Sequence, residues 1–181
     1  MDKARTTHLS KFLSLVLRHQ PGAANVTLDE EGWVDTEVLL VGATRAGVRM
    51  TQADLKDVVD TSDKRRFALS EDGRRIRANQ GHSVSVDLGL APSVPPDVLF
   101  HGTVEAAVPS IMSTGLEKRS RQHVHLSADI ATAKKVGGRR GPPIVFRVDA
   151  ASMSKAGHSF YVSENGVWLA DAVPSEFLRR H

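Results

Sequence analysis

Cysteine is missing from this chain of 181 residues. Its absence excludes disulfide bonds, thiolate zinc sites and a cysteine nucleophile, and it is typical of a reducing compartment. No hydrophobic run reaches the roughly 20 residues that a membrane-spanning helix needs. The N-terminal stretch MDKARTTHLS also lacks the apolar core of a signal peptide. We therefore expect a cytoplasmic protein without a membrane partner.

Three motifs that would indicate a common chemistry are missing as well. The sequence contains no G-x-x-x-x-G-K-[ST] phosphate loop, no G-x-G-x-x-G dinucleotide fingerprint and no G-x-S-x-G nucleophile elbow. His123 and His125 lie two residues apart on a predicted strand, so both could face one metal ion. Two histidines without a third ligand at a readable spacing are too few, so the sequence predicts no metal site.

The cationic residues are clustered although the net charge is small. Lysine and arginine number 24 and the acidic residues 21, which leaves a net charge of +3. The clusters lie within residues 64–66, 74–77, 118–121 and 134–140. Such clusters indicate local binding sites for anions, although any one of them alone is more often a solvated surface.

A proline-rich stretch, LAPSVPPD, divides the chain. Its three prolines lie within five positions and disfavour both a helix and a central strand. We therefore predict two domains, residues 1–88 and 97–181, joined by a linker at residues 89–96.

The first domain has the pattern of three helices followed by a hairpin. Apolar residues at helical spacing predict one buried face of a helix from about Thr7 to Arg18. Asp35 is expected to cap a second helix, and Thr51 with Asp54 resembles the capping box of a third. The alternating stretch RFALSEDGRRIRA predicts an arginine-rich hairpin. Three helices and a two-stranded ribbon are typical of a winged helix, a common nucleic-acid-binding layout.

The second domain has more strands than helices. The stretches DVLFHGT, HVHLS and PIVFRV are predicted strands, and Asn165-Gly166 between two apolar runs indicates a tight hairpin. A short helix is expected to end at about Thr114, where Gly115 suits a left-handed C-terminal stop. The predicted fold is therefore α+β: an N-terminal winged-helix domain and a mixed α/β domain rich in strands.

Six stretches, taken together and in order, resemble one known family. They are LSLVLRHQP, DKRRFAL, IRANQGHS, LFHGT, RQHVHLSAD and SENGVWLADAVP, and the resemblance extends from about Leu9 to Leu178. The sequence is similar to the NAD-dependent RNA 2′-phosphotransferases. This resemblance implies that the second domain has the ADP-ribosyltransferase fold and that the active site lies between the two domains.

The resemblance also implies a specific reaction. Members of the family remove an internal 2′-phosphate from RNA, such as the one left at a tRNA splice junction. The phosphate attacks the nicotinamide ribose of NAD and expels nicotinamide, and the ribose 2″-hydroxyl then attacks phosphorus. The products are RNA with a 2′-hydroxyl and ADP-ribose 1″,2″-cyclic phosphate. We therefore expect two co-substrates, NAD and RNA bearing a 2′-phosphate, and no metal.

The site residues follow from the same resemblance. Those expected to be catalytic are Arg18, His19, Arg66 and Arg121, and those expected to bind NAD are His101, Gly102, Thr103, His125 and Ser127. Arg66 is preferred to Arg65 because it directly precedes a phenylalanine. These residue types suit the chemistry, since guanidinium groups bind phosphate through paired hydrogen bonds and histidine can move a proton near neutral pH.

Two other functions remain open from the sequence. A winged-helix regulator that only binds nucleic acid would explain the first domain but would leave HGT and RQHVHLS without a role. An ADP-ribosyltransferase with another acceptor, such as a protein or a terminal phosphate, would use the same second domain. Without the resemblance, Arg18 and His19 would most simply interact with the dipole at the end of their helix. We expect a monomer.

Overall fold

The computed structural model describes residues 2–62 and 64–181. The chain divides into two compact units, Met1–Gly89 and Leu90–His181, which we call unit 1 and unit 2. Within the described ranges there are six α-helices and several small antiparallel sheets, so the fold is mixed α/β. No helix in the described part of the chain is long and apolar enough to cross a membrane.

Unit 1 contains three helices and one antiparallel sheet. Its elements are α1 (Lys3–Arg18), a 3₁₀ turn (Pro21–Ala24), β1 (Val34–Asp35), α2 (Thr36–Arg45), α3 (Gln52–Asp60), β2 (Phe67–Leu69) and β3 (Arg75–Ala78). The strands are ordered β1-β3-β2. Helices and sheet share one apolar core, which includes the fully buried Leu13, Leu55 and Ile76.

The helix α1 confirms the predicted first helix and is one turn longer at its start. It begins at Lys3 rather than Thr7, because the Asp2 carboxylate accepts a hydrogen bond from the Arg5 N–H at 2.8 Å. Apolar spacing gives no sign of this first turn, since the first buried residue of the helix is Leu9. The capping interaction therefore decides where α1 starts.

The predicted caps and hairpin of unit 1 are confirmed. Asp35 accepts hydrogen bonds from two N–H groups in the first turn of α2, and Thr51 and Asp54 form the capping box of α3. Strands β2 and β3 form the hairpin, and β1 adds a third strand in which Val34 lies opposite Ile76. Sequence alternation does not predict β1, because two residues are too few to show a period.

Unit 2 contains three helices and eight short strands within its described residues. They are β4 (Val98–Val104), α4 (Val108–Thr114), β5 (Leu116–Glu117), β6 (Val124–Leu126), α5 (Ile130–Gly137), β7 (Pro143–Asp149), α6 (Ala150–Lys155), β8 (Phe160–Val162), β9 (Trp168–Ala170), β10 (Ala172–Val173) and β11 (Leu178–Arg180). The antiparallel sheets are ordered β11-β7-β4, β6-β9-β8 and β10-β5. Phe100 and Ser127 exchange two backbone hydrogen bonds of 2.8 Å, which join β4 to the end of β6.

The strands predicted for unit 2 are confirmed, and two helices, α5 and α6, are new. DVLFHGT, HVHLS and PIVFRV form β4, β6 and β7, and the Asn165-Gly166 turn joins β8 to β9. Gly115 ends α4 as expected, but its φ of +83° is combined with a ψ of −166°, an extended conformation with positive φ that only glycine adopts easily, instead of the left-handed helical one. The sequence pattern does not predict α5, because only Ala133 and Gly137 of its eight residues are buried.

Two glycines allow α5 to lie directly on β4. A Cβ atom added to Gly102 of β4 would lie 1.7 Å from the carbonyl oxygen of Ala133, and one added to Gly137 would lie 2.6 Å from the backbone nitrogen of Thr103. No side chain fits at such distances in a close-packed interior. Because β4 carries HGT, this helix contact also holds the strand of the predicted NAD-binding residues.

We predict that Gly137→Ala lowers the free energy of unfolding by about 2–3 kcal/mol, because the added methyl group forces α5 away from β4. The matched control is Gly138→Ala at the next position, where an added Cβ would meet only the side chain of Pro143 at 3.8 Å. Urea denaturation followed by circular dichroism measures both variants. Equal stability of the two variants would contradict the close packing.

Candidate active site

The predicted pair Arg18 and His19 lies at the C-terminal end of α1. Arg18 is the last helical residue, and the N–H of His19 donates to the Leu15 carbonyl. The guanidinium of Arg18 lies 5.8 Å from the centre of the Phe67 ring, and its Nη2 donates to the carbonyl oxygen of Arg66 at 3.4 Å. Through these contacts Arg18 joins the end of α1 to Phe67 of β2 and to Arg66, which directly precedes that strand. Arg18 therefore has tertiary contacts in addition to its place at the end of the helix.

The segment of residues 79–84, which follows β3, holds this pair in place. The N–H groups of Ser83 and Val84 donate to the Arg18 carbonyl at 2.8 and 3.3 Å. The Oγ of Ser83 lies 2.9 Å from Nδ1 of His19. This hydrogen bond orients the imidazole and engages one of its nitrogens, so a proton transfer by His19 would use Nε2.

Asn79, at the start of the same segment, holds the second cationic stretch. Its N–H donates to the Arg66 carbonyl at 3.0 Å, and its Nδ2 donates to the Arg65 carbonyl at 2.6 Å. Arg65 has a φ of +40°, in the left-handed region that costs a residue other than glycine about 1–2 kcal/mol. Asn79 therefore stabilises a turn that is unfavourable by itself, and Arg66 directly follows that turn.

His19 and Arg66 line one cavity of unit 1, with a volume of about 730 Å³. Arg65 is exposed and is absent from the described residues that line this cavity. Of the two arginines, Arg66, the one chosen from the Arg-Phe pair, therefore lies at the same cavity as His19.

His82 is a buried imidazole in the same segment. Only 1% of its surface is exposed, and neither ring nitrogen has a hydrogen-bond partner among the residues that the structure describes. Burial, and then the positive charges of Arg18 and His19, lower the pKa of His82 from 6.5 to about 4. A smaller effect in the same direction comes from Arg77. His82 is therefore neutral at physiological pH, and the arginines carry the positive charge of the site.

In unit 2 the two predicted NAD-binding strands lie side by side. The bridge between Phe100 and Ser127 brings HGT next to HVHLS, and Nδ1 of His101 lies 3.1 Å from the carbonyl oxygen of His125. A carbonyl oxygen can only accept, so Nδ1 of His101 carries a proton and donates it. Nη1 of Arg121 donates to Nδ1 of His125 at 3.0 Å. Three predicted site residues, His101, His125 and Arg121, thus form one connected group.

Positive charge is concentrated around this group. Burial lowers the pKa of His101, and the charges of Arg121 and Arg119 lower it further, against the hydrogen bond to the carbonyl. Desolvation and then repulsion from Arg139 and Arg140 lower the pKa of Arg121. Cations that disfavour one another in this way favour the binding of an anion.

The other candidate residues of unit 2 have different surroundings. Gly102 is required by the packing of α5, and Thr103 is half-buried on β4. His123 precedes β6 and contacts the ring of Tyr161, with ring centres 5.7 Å apart, and burial lowers its pKa. In residues 2–62 and 64–181 no group of three or more histidine and carboxylate side chains could hold a metal ion.

The chain matches one protein family along nearly its whole length. Residues 4–172 match the family described as RNA 2′-phosphotransferase, Tpt1 / KptA family. A protein of Hahella chejuensis is 56% identical over 178 residues, which cover 98% of this chain and 95% of that protein. One of Rhodopirellula baltica is 56% identical over 93% of this chain and 92% of that protein, and one of Streptomyces griseus is 53% identical over 98% of each. All three are named "Probable RNA 2′-phosphotransferase".

The chain belongs to the RNA 2′-phosphotransferase family. The resemblance inferred from six short stretches is thereby confirmed. The sequence alone indicates no catalytic or binding role for Asn79, His82 or Ser83 of this family member. All three lie in IRANQGHS, one of the six stretches that resemble the family, so this stretch could have pointed to them. Its residues do not show, however, that folding places the stretch against Arg18 and Arg66.

We predict that the stability of this family member falls as the pH decreases from 6.5 toward 4. The pKa of His82 is about 4 in the folded protein and 6.5 in the unfolded chain, so the unfolded chain binds a proton first. The contribution of neutral His82 to the free energy of unfolding is complete above pH 6.5. Below that pH it is lost progressively, by up to about 3 kcal/mol.

The variant His82→Leu should remove this part of the pH dependence. It should not lower the stability at neutral pH by more than about 1 kcal/mol, because leucine replaces a ring whose nitrogens make no hydrogen bond to the described residues. Urea denaturation across the same pH range measures the difference between the two proteins. A difference that does not change with pH would show that His82 does not titrate in this way.

Proposed function

We propose that this protein removes an internal 2′-phosphate from RNA by transferring it to NAD. The products are RNA with a 2′-hydroxyl, nicotinamide and ADP-ribose 1″,2″-cyclic phosphate. The observation that carries the proposal is the convergence of Arg18, His19 and Arg66, held by residues 79–84. Guanidinium groups beside an imidazole suit a reaction that binds a phosphate monoester and then moves a proton.

The architecture of the two units supports this function. Three helices and the sheet β1-β3-β2 suit a winged helix, which we propose as the RNA-binding domain at residues 1–88. The antiparallel sheets of unit 2 suit an ADP-ribosyltransferase-like domain at residues 97–181, with a linker at residues 89–96. Each unit then supplies one part of the chemistry: the first recognises RNA and the second binds NAD.

The phosphate ligands that we propose are Arg18, Arg66 and Arg121. A phosphate monoester carries about −1.5 to −2 charges near neutral pH and has three acceptor oxygens. Guanidinium groups match these oxygens with paired hydrogen bonds and stay charged at any working pH. Because His82 is neutral, it adds no further charge that would repel the arginines of unit 1.

The first chemical step needs little proton transfer. A phosphate oxygen forms a bond to C1″ of the nicotinamide ribose, while the bond from C1″ to the nicotinamide nitrogen breaks and its electron pair leaves with nicotinamide. The attacking oxygen is already anionic, and nicotinamide departs as a neutral molecule. The protein contributes to this step by orienting the two substrates. The arginines would hold the phosphate, and residues of β4 and β6 would hold NAD.

The second step moves two protons. The ribose 2″-oxygen loses a proton as it bonds to phosphorus, and the RNA 2′-oxygen gains one as its own bond to phosphorus breaks. We assign this transfer to Nε2 of His19, since Ser83 engages Nδ1. Arg121 would stabilise the charge that develops on the phosphoryl oxygens, a contribution that is usually large in such reactions.

The chemistry of unit 2 suits NAD as the second substrate. The residues that we propose for its binding are His101, Gly102, Thr103, His125 and Ser127. With Nδ1 of His101 donating to the His125 carbonyl, Nε2 of the neutral ring is an acceptor for a ribose hydroxyl. The cations around Arg121 favour a ligand that carries a pyrophosphate. Bound NAD would supply the electrophilic ribose carbon and the 2″-hydroxyl.

One assay separates this function from the two alternatives. The protein is incubated with an oligonucleotide that carries a labelled internal 2′-phosphate, with and without NAD. Transfer of the label to ADP-ribose cyclic phosphate, only with NAD, supports the proposal. RNA binding without turnover would indicate a winged-helix regulator, and stable ADP-ribosylation without phosphate removal would indicate another acceptor. We further propose that the protein acts as a monomer in the cytoplasm.

We predict that His19→Ala slows the second step more than the first, by roughly 100-fold or more, because the proton carrier is lost. ADP-ribosylated RNA should then accumulate, and rapid-quench gel analysis detects it. His8→Ala is the matched control, since His8 is exposed on the same helix and should have no effect. If His19→Ala slows both steps equally without an intermediate, His19 positions the phosphate instead of moving a proton.

We predict that turnover requires NAD but no divalent metal, because the arginines supply the positive charge that a metal ion would bring to a phosphate. The rate after exhaustive chelation should equal the rate before it. A strict requirement for magnesium or zinc would show that this assignment of charge is wrong.

A further inference from the structure

We propose that a groove along α1 binds the RNA strand that flanks the 2′-phosphate. This α1 groove is the cavity of about 730 Å³ that contains His19 and Arg66, and it reaches along the helix to Lys3. At 1.5 Å per residue this path is about 24 Å long, enough for several nucleotides. The inference rests on the proposed function, which puts the reacting phosphate at the His19 end.

A polar stripe of α1, together with the exposed Leu15, forms the first wall of the groove. The apolar side of the helix faces the core of unit 1. The stripe consists of residues at helical spacing: Lys3, Thr6, Thr7, Ser10, Lys11 and Ser14. Among the described residues that line the groove none is phenylalanine, tyrosine or tryptophan, and its one aromatic ring, the imidazole of His19, lies at the end of the groove. Lysines and hydroxyl groups suit the sugar–phosphate backbone.

The second wall comes from the end of α3 and the residues that follow it. The two walls are joined at the far end by Nη2 of Arg5 on α1, which lies 2.9 Å from Oδ2 of Asp54 on α3. The hydrogen bond from Arg5 is the main reason why the pKa of Asp54 is lowered to about 2. The ion pair therefore persists throughout the physiological pH range and links α1 to α3 near the Lys3 end of the groove.

The charge of the groove favours a polyanion. Each wall carries two cations, and the described lining residues contain one carboxylate, Asp57. The cations are Lys3, Lys11, Lys64 and Arg66. Neutralisation of phosphates by such groups is the main source of affinity for a nucleic-acid backbone and makes that affinity depend on salt.

The hydroxyl groups of the groove are prepared to accept hydrogen bonds. Thr6, Thr7 and Thr61 each donate their proton to a backbone carbonyl four residues earlier, at 2.9, 2.8 and 2.6 Å. Their oxygens remain available as acceptors, and the 2′-hydroxyl groups of RNA are donors that DNA lacks. The groove therefore suits a single strand of RNA.

The double variant Lys3→Ala/Lys11→Ala tests the groove without changing Arg18, His19 or Arg66. Two RNA substrates carry the same 2′-phosphate. The short one contains little more than the nucleotides on either side of this phosphate, and the long one is extended by several nucleotides at both ends. The matched control is Arg45→Ala/Lys56→Ala, which removes two exposed cations of unit 1 that do not line the groove.

We expect the groove variant to raise KM for the long RNA about five- to tenfold at low salt, and to leave KM for the short RNA within about twofold. The slope of log KM against log salt for the long RNA should flatten by about 1.4, because each lost phosphate contact on a single strand contributes about 0.7. The control variant should behave as the unmodified protein with both substrates. Equal losses for short and long RNA, or equal losses in the control, would overturn the proposal.

A binding measurement makes the groove testable apart from the reaction. Fluorescence anisotropy with labelled single-stranded RNA that lacks a 2′-phosphate, in the absence of NAD, requires no turnover. Weaker binding by the groove variant than by the control variant supports the groove even if the proposed reaction is not observed. Unchanged binding by the groove variant would overturn the groove and leave the proposed reaction untouched.

Discussion

The hydrogen bonds of residues 79–84 hold together the end of α1 and the turn before β2, and the rest of the site in unit 1 depends on them. Ser83 and Val84 bind the Arg18 carbonyl, and Asn79 binds the carbonyls of Arg65 and Arg66. One short segment thereby joins two cationic stretches that are 48 residues apart in sequence. Arg18 ends α1, and Arg65 and Arg66 lie in the turn before β2. Carbonyls at such places lack a partner within their own helix or strand and need one from elsewhere.

This arrangement gathers positive charge, and the protonation of neighbouring groups responds to it. Arginine keeps its proton at any working pH, so the repulsion acts on a nearby group that can become neutral, the buried imidazole of His82. His82 loses its proton because it is both buried and close to Arg18. A phosphate bound beside Arg18 and Arg66 would offset the charge that remains. The same set of contacts therefore stabilises the fold and prepares the site for an anion.

Unit 2 is organised by close backbone packing rather than by a polar segment. Gly102 and Gly137 let α5 rest on β4, and the Phe100–Ser127 bridge joins β4 to β6. The glycine of HGT suggests, in the sequence, room for a ligand next to the strand. In the structure that room is filled by the backbone of α5. The room beside this glycine is therefore not open to a ligand, and in the proposed function its neighbour His101 would contact NAD.

The sequence alone determined what depends on neighbouring residues. The caps at Asp35 and Thr51, the Asn165-Gly166 hairpin and the strand of HGT follow from short-range spacing and turn chemistry, and six ordered stretches sufficed for the family. The features that depend on residues far apart in the sequence were decided only by the tertiary structure. The support of Arg66 by Asn79, the neutrality of His82 and the groove between α1 and α3 each require residues from separate parts of the chain. A local pattern cannot show them, because hydrogen-bond partners and burial exist only once the elements have packed.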